Sequence, residues 1–447
     1  VNQYIEAEDG LGRARIVEFT SSTVVKAIVE IPFFSTSALA SGDWALETGY
    51  EVTWSGTRGY PRTVVFHEGR LYFGGTKSRP NTLFASRVNR FFDFNPGEGL
   101  DDDGIEATLD TGQANPIIGL FSGRDLQIFT KGGEFFVPQS SLDPITPSNI
   151  VINGATRRGA KEGIKPLGVE SGTIFIQSAG KAIREFLFSD VELNYVSNNI
   201  SLLSSHLLNS PVDMALRKAT STTDGDLLMV VNTDGTMATY SILKDQNITA
   251  PSLASTDGEF INVAVDVETM YFVVKRTINS ADVYYVEAFN DDNTTDSAVL
   301  LSGSSKPSST SVSGLTHLEG ETVKVIVDDA MQTNKTVSSG AITLDAVPTT
   351  YVEIGMNYTP TVTTLPVELK LPSGNIVAQK KRIVEATVNL YLSQNLTLDG
   401  QDFAFTAASF FTGKKRRKPM LGYDRDGQLT FSQSQPLFFN LLGVEYK

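Results

Sequence analysis

Two runs of charge are the sharpest chemical features of this 447-residue chain, one basic and one acidic. Lys414, Lys415, Arg416, Arg417 and Lys418, closed by Pro419, stand against a formal net charge of −14. The run reads either as a loop that contacts phosphate or a partner, or as a solvated hairpin tip. If all five cations met DNA phosphates, affinity would fall with a log–log salt slope of about −4.5. The acidic run Asp101-Asp102-Asp103-Gly104, with Glu106 and Asp110 nearby, offers oxygen ligands for calcium. An EF-hand loop needs ligands at alternate positions, then Gly at the sixth and Glu at the twelfth. Counted from Asp101, Ile105 falls fifth and Glu106 sixth, so a solvated turn with a capping Asp accounts for the run better.

Other chemistries find little purchase. The chain has no cysteine, which excludes disulfides, zinc–thiolate sites, iron–sulfur clusters and cysteine nucleophiles. His67, His206 and His317 lie in separate stretches, and a three-histidine metal centre would need all of them to converge. No nucleophile elbow, Walker loop or dinucleotide fingerprint precedes a helix. Among 51 acids no spacing singles out the carboxylate pair of a glycoside hydrolase. Ser255-Thr256-Asp257-Gly258-Glu259-Phe260 comes nearest to a sialidase-type turn, but it lacks the spacer before Gly and the Trp. With Trp44 and Trp54 alone, aromatic platforms for carbohydrate look thin. No catalytic, metal-binding or cofactor-binding residue is assigned, and an enzyme is not expected. The 37 basic against 51 acidic residues also argue against a basic nucleic-acid footprint.

The elements that must position these runs are strands. Thr, Val, Ser, Phe and Tyr recur with Gly and Asp-Gly punctuation, the pattern of short strands and tight turns. One helix is expected, at Asn198–Leu208. Residues 15–31 alternate like a strand pair, and the opening at Val1 in mid-pattern suggests that sequence precedes it. Strand pairs then recur: Val64–Phe66 with Arg70–Phe73, Ile117–Phe121 with Leu126–Thr130 and Glu134–Val137, and Thr173–Gln177 with Ile183–Phe188. Leu227–Val231 with Met237–Ile242 and Met270–Lys275 with Val283–Phe289 continue the series. A recurrence of roughly 40–50 residues with several strands per unit matches a β-propeller blade, with five candidates and room for one more. A run of unrelated antiparallel sheets is the plainer alternative. Gly74-Gly75 and Gly132-Gly133 read as tight turns needing positive φ.

The fold expected is therefore mainly β, an irregular β-propeller with additional small β-domains. The segments are residues 1–53, a propeller at 54–300, a Ser-rich linker at 301–313, a small β-domain at 314–375 and a C-terminal segment at 376–447. Lys381–Leu392 reads as one long strand burying Val384, Ala386, Val388, Leu390 and Leu392. No run approaches the roughly 20 apolar residues of a membrane-spanning helix.

The stretch Trp54–Phe94 resembles the tail nozzle proteins (tail tubular protein B type) of short-tailed bacteriophages. The landmarks are Trp54, Gly59-Tyr60-Pro61, Arg70-Leu71, Gly74-Gly75, Pro80, Ser86 and Phe92-Asp93-Phe94. Asp102–Leu109, Phe129–Glu134, Gly314–Gly320 (including His317), Thr364-Leu365-Pro366 and Lys381-Arg382-Ile383 follow in the family's order. The resemblance implies a structural virion component in the short tail, forming a homo-hexameric ring below the tail adaptor protein. It implies that the lumen passes exiting genomic DNA, that the outside docks tail fibres, and that residues 1–53 and about 376–447 together build a platform and nozzle. A propeller-based glycan hydrolase or a receptor-binding module of a virion is the alternative.

Overall fold

The computed structural model describes residues 3–7, 12–47, 53–97, 99–112, 115–138, 144–170, 172–221, 224–367, 370–371, 374–375, 379–419 and 422–447. Val1 and residues 376–378, at the last expected boundary, lie outside this set. The fold is mainly β, with several small antiparallel sheets and no α-helix among the described residues. The chain divides into two compact units, Val1–Gly154 and Ala155–Lys447.

The first unit opens with β1 (Tyr4–Ala7), β2 (Arg13–Ser21), β3 (Val24–Ile31) and β4 (Trp44–Glu47), in the order β3-β2-β1-β4. The alternation at 15–31 is thus a real hairpin, β2 with β3. A meander follows: β5 (Thr63–His67), β6 (Arg70–Gly74), β7 (Thr82–Ala85) and β8 (Ile105–Thr108). Glu68 and Gly69 join β5 to β6 with φ of +43° and +72°, the paired left-handed residues of a two-residue hairpin. A second meander holds β9 (Ile117–Ser122), β10 (Leu126–Thr130) and β11 (Glu134–Val137), with β12 (Asn153–Thr156) as its last strand. Tyr72 and Leu83 of the first meander share a core with Ile117, Leu126 and Ile128 of the second. Gly75 is obligatory at this contact: its φ is +76°, and a Cβ would lie 2.1 Å from the Ile117 carbonyl oxygen. Gly74, Gly132 and Gly133 do not have the positive φ expected of them. Gly132 is constrained by crowding instead, since a Cβ there would meet Asn115 Oδ1 at 2.2 Å.

The second unit begins with two further meanders. They are β13 (Leu167–Val169), β14 (Gly172–Ile176), β15 (Ile183–Ser189) and β16 (Asn194–Asn199), then β17 (Asp213–Arg217), β18 (Asp226–Val231), β19 (Met237–Leu243) and β20 (Ile248–Ala254). A three-stranded sheet of β21 (Glu259–Asp266), β22 (Thr269–Ile278) and β23 (Ala281–Ala288) completes the series. β18 shows how the sheets stack. Leu228 and Val230 pack with Ile174, Ile176 and Ile183 on one side, while Met229 and Val231 pack with Met270, Phe272 and Val274 on the other. Successive strand residues point to opposite faces, so an unbroken apolar run is what a sheet covered on both faces requires.

The next sheet pairs β24 (Asp296–Ser302), β26 (Thr322–Val327), β27 (Ala330–Met331), β28 (Lys335–Thr336) and β30 (Tyr351–Met356), with a core it shares with the pair β25 (Ser311–Ser313) and β29 (Ala341–Thr343). The last sheets use β31 (Thr361–Thr363), β32 (Lys370–Leu371), β33 (Gly374–Asn375), β34 (Ala386–Ser393), β35 (Thr397–Leu398), β36 (Gln401–Asp402), β37 (Phe411–Arg417), β38 (Thr430–Ser432) and β39 (Asn440–Tyr446). In one of them the order is β37-β34-β39, closed over Val388, Leu390, Leu396, Phe403 and Phe431.

Three expectations fail locally. Asn198–Leu208 is not a helix: β16 runs to Asn199, and a single 3-10 turn at Ser205–Leu207 follows. Leu208 is buried in a core of the second unit with Ile200 and Leu207 packed against it, while Leu202 and Leu203 are exposed. Residues 301–313 are not a free linker, because β24 runs through 300 to pair with β30, and Lys306 Nζ donates to the Pro348 carbonyl at 3.0 Å. The long strand at 381–392 starts only at Ala386, so Val384 and Leu392 are exposed while Ala386, Val388 and Leu390 are buried. A register shift after Leu390, with Leu392 at φ +44°, turns the end of the strand over.

Candidate functional site

The basic run is a strand, not a loop or a hairpin tip. Residues 414–417 lie within β37, paired antiparallel to β34 with Arg417 opposite Ala386, Arg416 opposite Thr387, Lys415 opposite Val388 and Lys414 opposite Asn389. Directly opposed residues share a face, so Lys415 and Arg417 lie on the side of the buried Val388 and Ala386. Their stems cross aromatic surface there. Lys415 Nζ stands 4.5 Å from the Phe405 ring centroid and 4.2 Å from that of Phe411, and it donates to the Ala404 carbonyl. The Arg417 guanidinium lies 5.7 Å over Phe403 and donates to Gln401 Oε1. Both are cation–π contacts made by snorkelling side chains.

Lys414 and Arg416 occupy the opposite, exposed face. Lys414 pairs with Glu445 at 2.6 Å and Arg416 with Glu385 at 3.4 Å. Lys418 follows the strand and is exposed. Strand geometry therefore sorts five consecutive cations into two structural ones and three that face outward. The outward cations share their surface with two carboxylates.

The acidic run is organised by arginines. Arg70 opens β6 fully buried, and its guanidinium donates to the carbonyls of Ser86 (2.8 Å), Asp103 (2.5 Å) and Asp101 (2.6 Å). Asp103 is buried too, pairing with Arg87 at 2.8 Å and accepting the N–H groups of Gly99 and Leu100. The loop thus folds as a collar around a cation: Asp103 accepts main-chain N–H groups as a capping residue does, but it is buried, so the turn is not solvated there as expected. Among the described residues no group of three or more His, Asp or Glu is placed to hold a metal ion.

A second buried arginine was missed at the sequence level. Arg276 on β22 binds Glu287 of β23 through Nε (2.6 Å) and Nη2 (2.7 Å), and Asp296 of β24 through Nη2 (2.8 Å). Thr256 Oγ1 and the Asp257 N–H also donate to Asp296, so the stretch that looked sialidase-like is part of this ion cluster. Burial opposes charge on Asp296, but the guanidinium outweighs it and holds the carboxyl below its usual range. A glycosidase acid needs the reverse shift. The signal was present in β22, where Met270, Phe272, Val274, Arg276 and Ile278 occupy the inward positions of a strict alternation. Both carboxylates line a 910 Å³ cavity whose floor includes Met229, Met270 and Phe272. His317 lines it as well, its ring 6.5 Å from that of Tyr285, and burial pushes its pKa down.

The remaining landmarks have structural partners. Trp54 meets Phe73, Phe84 and Phe94 edge to face at centroid distances of 5.0, 5.8 and 5.1 Å, so the two ends of the 54–94 stretch close on each other. Leu315 and Leu318 of the Gly314–Gly320 step are fully buried in the core shared by β26 and β30. Lys381 Nζ donates to the Val367 carbonyl, joining the landmarks at 364–366 and 381–383. His67 bonds Ser122 through Nδ1 at 2.8 Å, and His206 lies exposed in the 3-10 turn. No family model and no curated protein matches the chain.

Proposed function

We propose that this chain is a structural subunit of the tail nozzle of a short-tailed bacteriophage. Its consecutive meanders act as blades of an irregular β-propeller, and the segments before and after them build a ring platform and nozzle. Six copies form a homo-hexameric ring in the virion, beneath the tail adaptor protein and bearing tail fibres. Its lumen continues the ejection channel, and exiting genomic DNA touches it only in passing.

The observation that carries this reading is the two-sided core of the β17–β20 sheet, apolar toward both neighbouring sheets. A sheet in a sequence of radially stacked blades needs two covered faces. Assembly is favoured by the β2–β3 ribbon, which exposes Phe19, Val24, Ile28 and Val29 on the isolated chain. β3 is an eight-residue edge strand, the kind of edge that another chain can pair with. An exposed apolar surface of this kind marks an interaction site, and a subunit buried in an obligate ring supplies the partner as a second copy.

Light scattering and negative-stain imaging of the purified chain test this. Rings are expected, and the double variant F19D/V29D should yield monomers with an unchanged circular-dichroism spectrum. A monodisperse monomer at high concentration, together with virions whose tail axis carries no ring of this chain, would overturn the reading. Saccharide release abolished by one carboxylate substitution would bring the hydrolase forward. Receptor binding by such a monomer would bring forward the receptor module.

A further inference from the structure

A cleft of the first unit has a composition that the basic strand lacks. It holds 1190 Å³ between the β1–β4 sheet, the Trp54 segment and the loop that follows β7. Small-molecule pockets run roughly 300–1,000 Å³, so the space suits a chain of several rings better than a single compact molecule.

Aromatic groups form part of its wall: Tyr4, Trp54, Phe92 and Phe94. Phe92 is 95% exposed, an unusual position for a phenylalanine on a loop otherwise folded onto its neighbours. Aromatic faces carry negative potential and attract the weakly positive C–H groups of a sugar ring. Beside them stand donors and acceptors in adjacent pairs. Arg15 donates through Nε to Glu30 Oε1 at 2.9 Å, with both side chains about one-third exposed. Arg79 and Glu106 form a second such pair in the same cleft. A hydroxyl both donates and accepts, so a guanidinium beside a carboxylate satisfies it on both counts.

Charge balance separates the candidate ligands. The cleft carries four arginines, Arg13, Arg15, Arg79 and Arg90, against the carboxylates of Glu30, Asp93 and Glu106. A groove that tracks a nucleic-acid backbone needs a large excess of cations. Near-balance with paired charges suits a polyhydroxylated ligand without phosphates. We infer that this cleft is a binding site for an oligosaccharide, read by ring stacking on Phe92 and Trp54 and by hydroxyl contacts to Arg15 and Glu30. The few tryptophans of the chain made such a platform look thin, but here Phe92 joins Trp54 in it. Every residue it uses lies in one unit of one chain, and because Arg15 and Glu30 stand on the β2–β3 ribbon that a ring would also use, the test is made on the unassembled chain.

Trp54 supplies the readout. In the otherwise native chain carrying Trp44→Phe, it is the sole tryptophan, and its fluorescence is titrated with maltohexaose, cellohexaose and chitohexaose, with octathymidylate as the nucleic-acid arm. At least one hexasaccharide should shift the emission with a Kd below about 10 mM, a range typical of weak binding. Phe92→Ala, at an exposed position, and Glu30→Gln should each weaken that binding about tenfold or more, with circular dichroism unchanged. No response to any hexasaccharide would overturn the inference, as would equal binding by both variants. A response to octathymidylate alone, lost in Phe92→Ala, would replace it with a single-stranded nucleic-acid site.

Discussion

Single side chains in this protein hold loops by collecting hydrogen bonds, and two of them make measurable claims. The Arg70 guanidinium is buried and satisfies three main-chain carbonyls of the segments 86 and 101–103. Arg70→Ala orphans all three and is expected to lower stability by about 3 kcal/mol or more. Asp101→Asn and Asp102→Asn should be nearly silent, because the arginine reads the carbonyls of this loop rather than those carboxylates. Urea midpoints of the three variants check the contrast. Asp328 makes the second claim. Burial disfavours its charge, yet the N–H groups of Thr349 (2.7 Å), Thr350 (2.7 Å) and Tyr351 (3.1 Å) and the Thr350 hydroxyl converge on it, and its pKa falls far below the usual carboxylate range. A carboxyl depressed on folding contributes stability that is fully present above its unfolded pKa of about 3.9. That contribution drains away as pH drops toward the folded value. Asp328→Asn should therefore cost about 1–3 kcal/mol at neutral pH. The gap to the parent chain should narrow as pH falls below about 4, and a gap that stays constant across an acid titration of unfolding would contradict the assignment.

At the scale of elements, β37 turns a string of like charges into two populations. Lys415 and Arg417 are committed to Phe405, Phe411 and Phe403, leaving Lys414, Arg416 and Lys418 outward. If this strand meets duplex DNA, the salt slope of binding should reach no more than about −2.7, the value for three neutralised phosphates, rather than −4.5. Lys414→Gln with Arg416→Gln should flatten the slope further, whereas Lys415→Met should leave it unchanged. A slope near the five-cation value would show that the inward pair is not held inward. This element also marks what could be read from residue order. The hairpins β5–β6, β9–β10, β18–β19 and β22–β23 stood out because alternation and turn residues coincide, as at Glu68-Gly69. β37 did not, because charge patterning says nothing about strand pairing, and two of its aromatic partners, Phe403 and Phe405, precede the strand on a segment that the sequence does not place beside it. The ends of β34 were misread for a related reason: where pairing stops and the register shifts, alternation continues in the sequence while burial does not. Asn198–Leu208 carried a helix-like spacing by coincidence, since a β-strand, a turn and one 3-10 turn placed its apolar residues three to four apart.

For the whole molecule, the proposal of a ring gives the formal charge of −14 a physical role. Six copies multiply it, and a polyanion moving past acidic or mixed walls finds few phosphate traps, which suits transit rather than retention. Retention of duplex DNA by assembled rings should accordingly be weak at physiological salt, and tight, salt-insensitive binding in a filter assay would argue against a channel. The hairpins between Thr63 and Ala288 were readable because each joins alternating runs across a short local turn. The two-faced stacking of β17–β20, the Arg276 cluster and the aromatic cleft were not, because each joins residues that only the sheets bring together.

The Arg276 cluster also limits how this protein can be taken apart. Its cation sits on β22 and its carboxylates on β23 and β24, and β24 belongs to the next sheet. A graft that moved residues 301–447 to another scaffold would tear β24 at its end, and one that began at Asp296 would strand the arginine with one carboxylate instead of two. Recombination at that point carries the cost of a buried charge left half-neutralised. The transplantable module therefore starts upstream of Arg276, and natural exchange between related chains is expected to cross elsewhere.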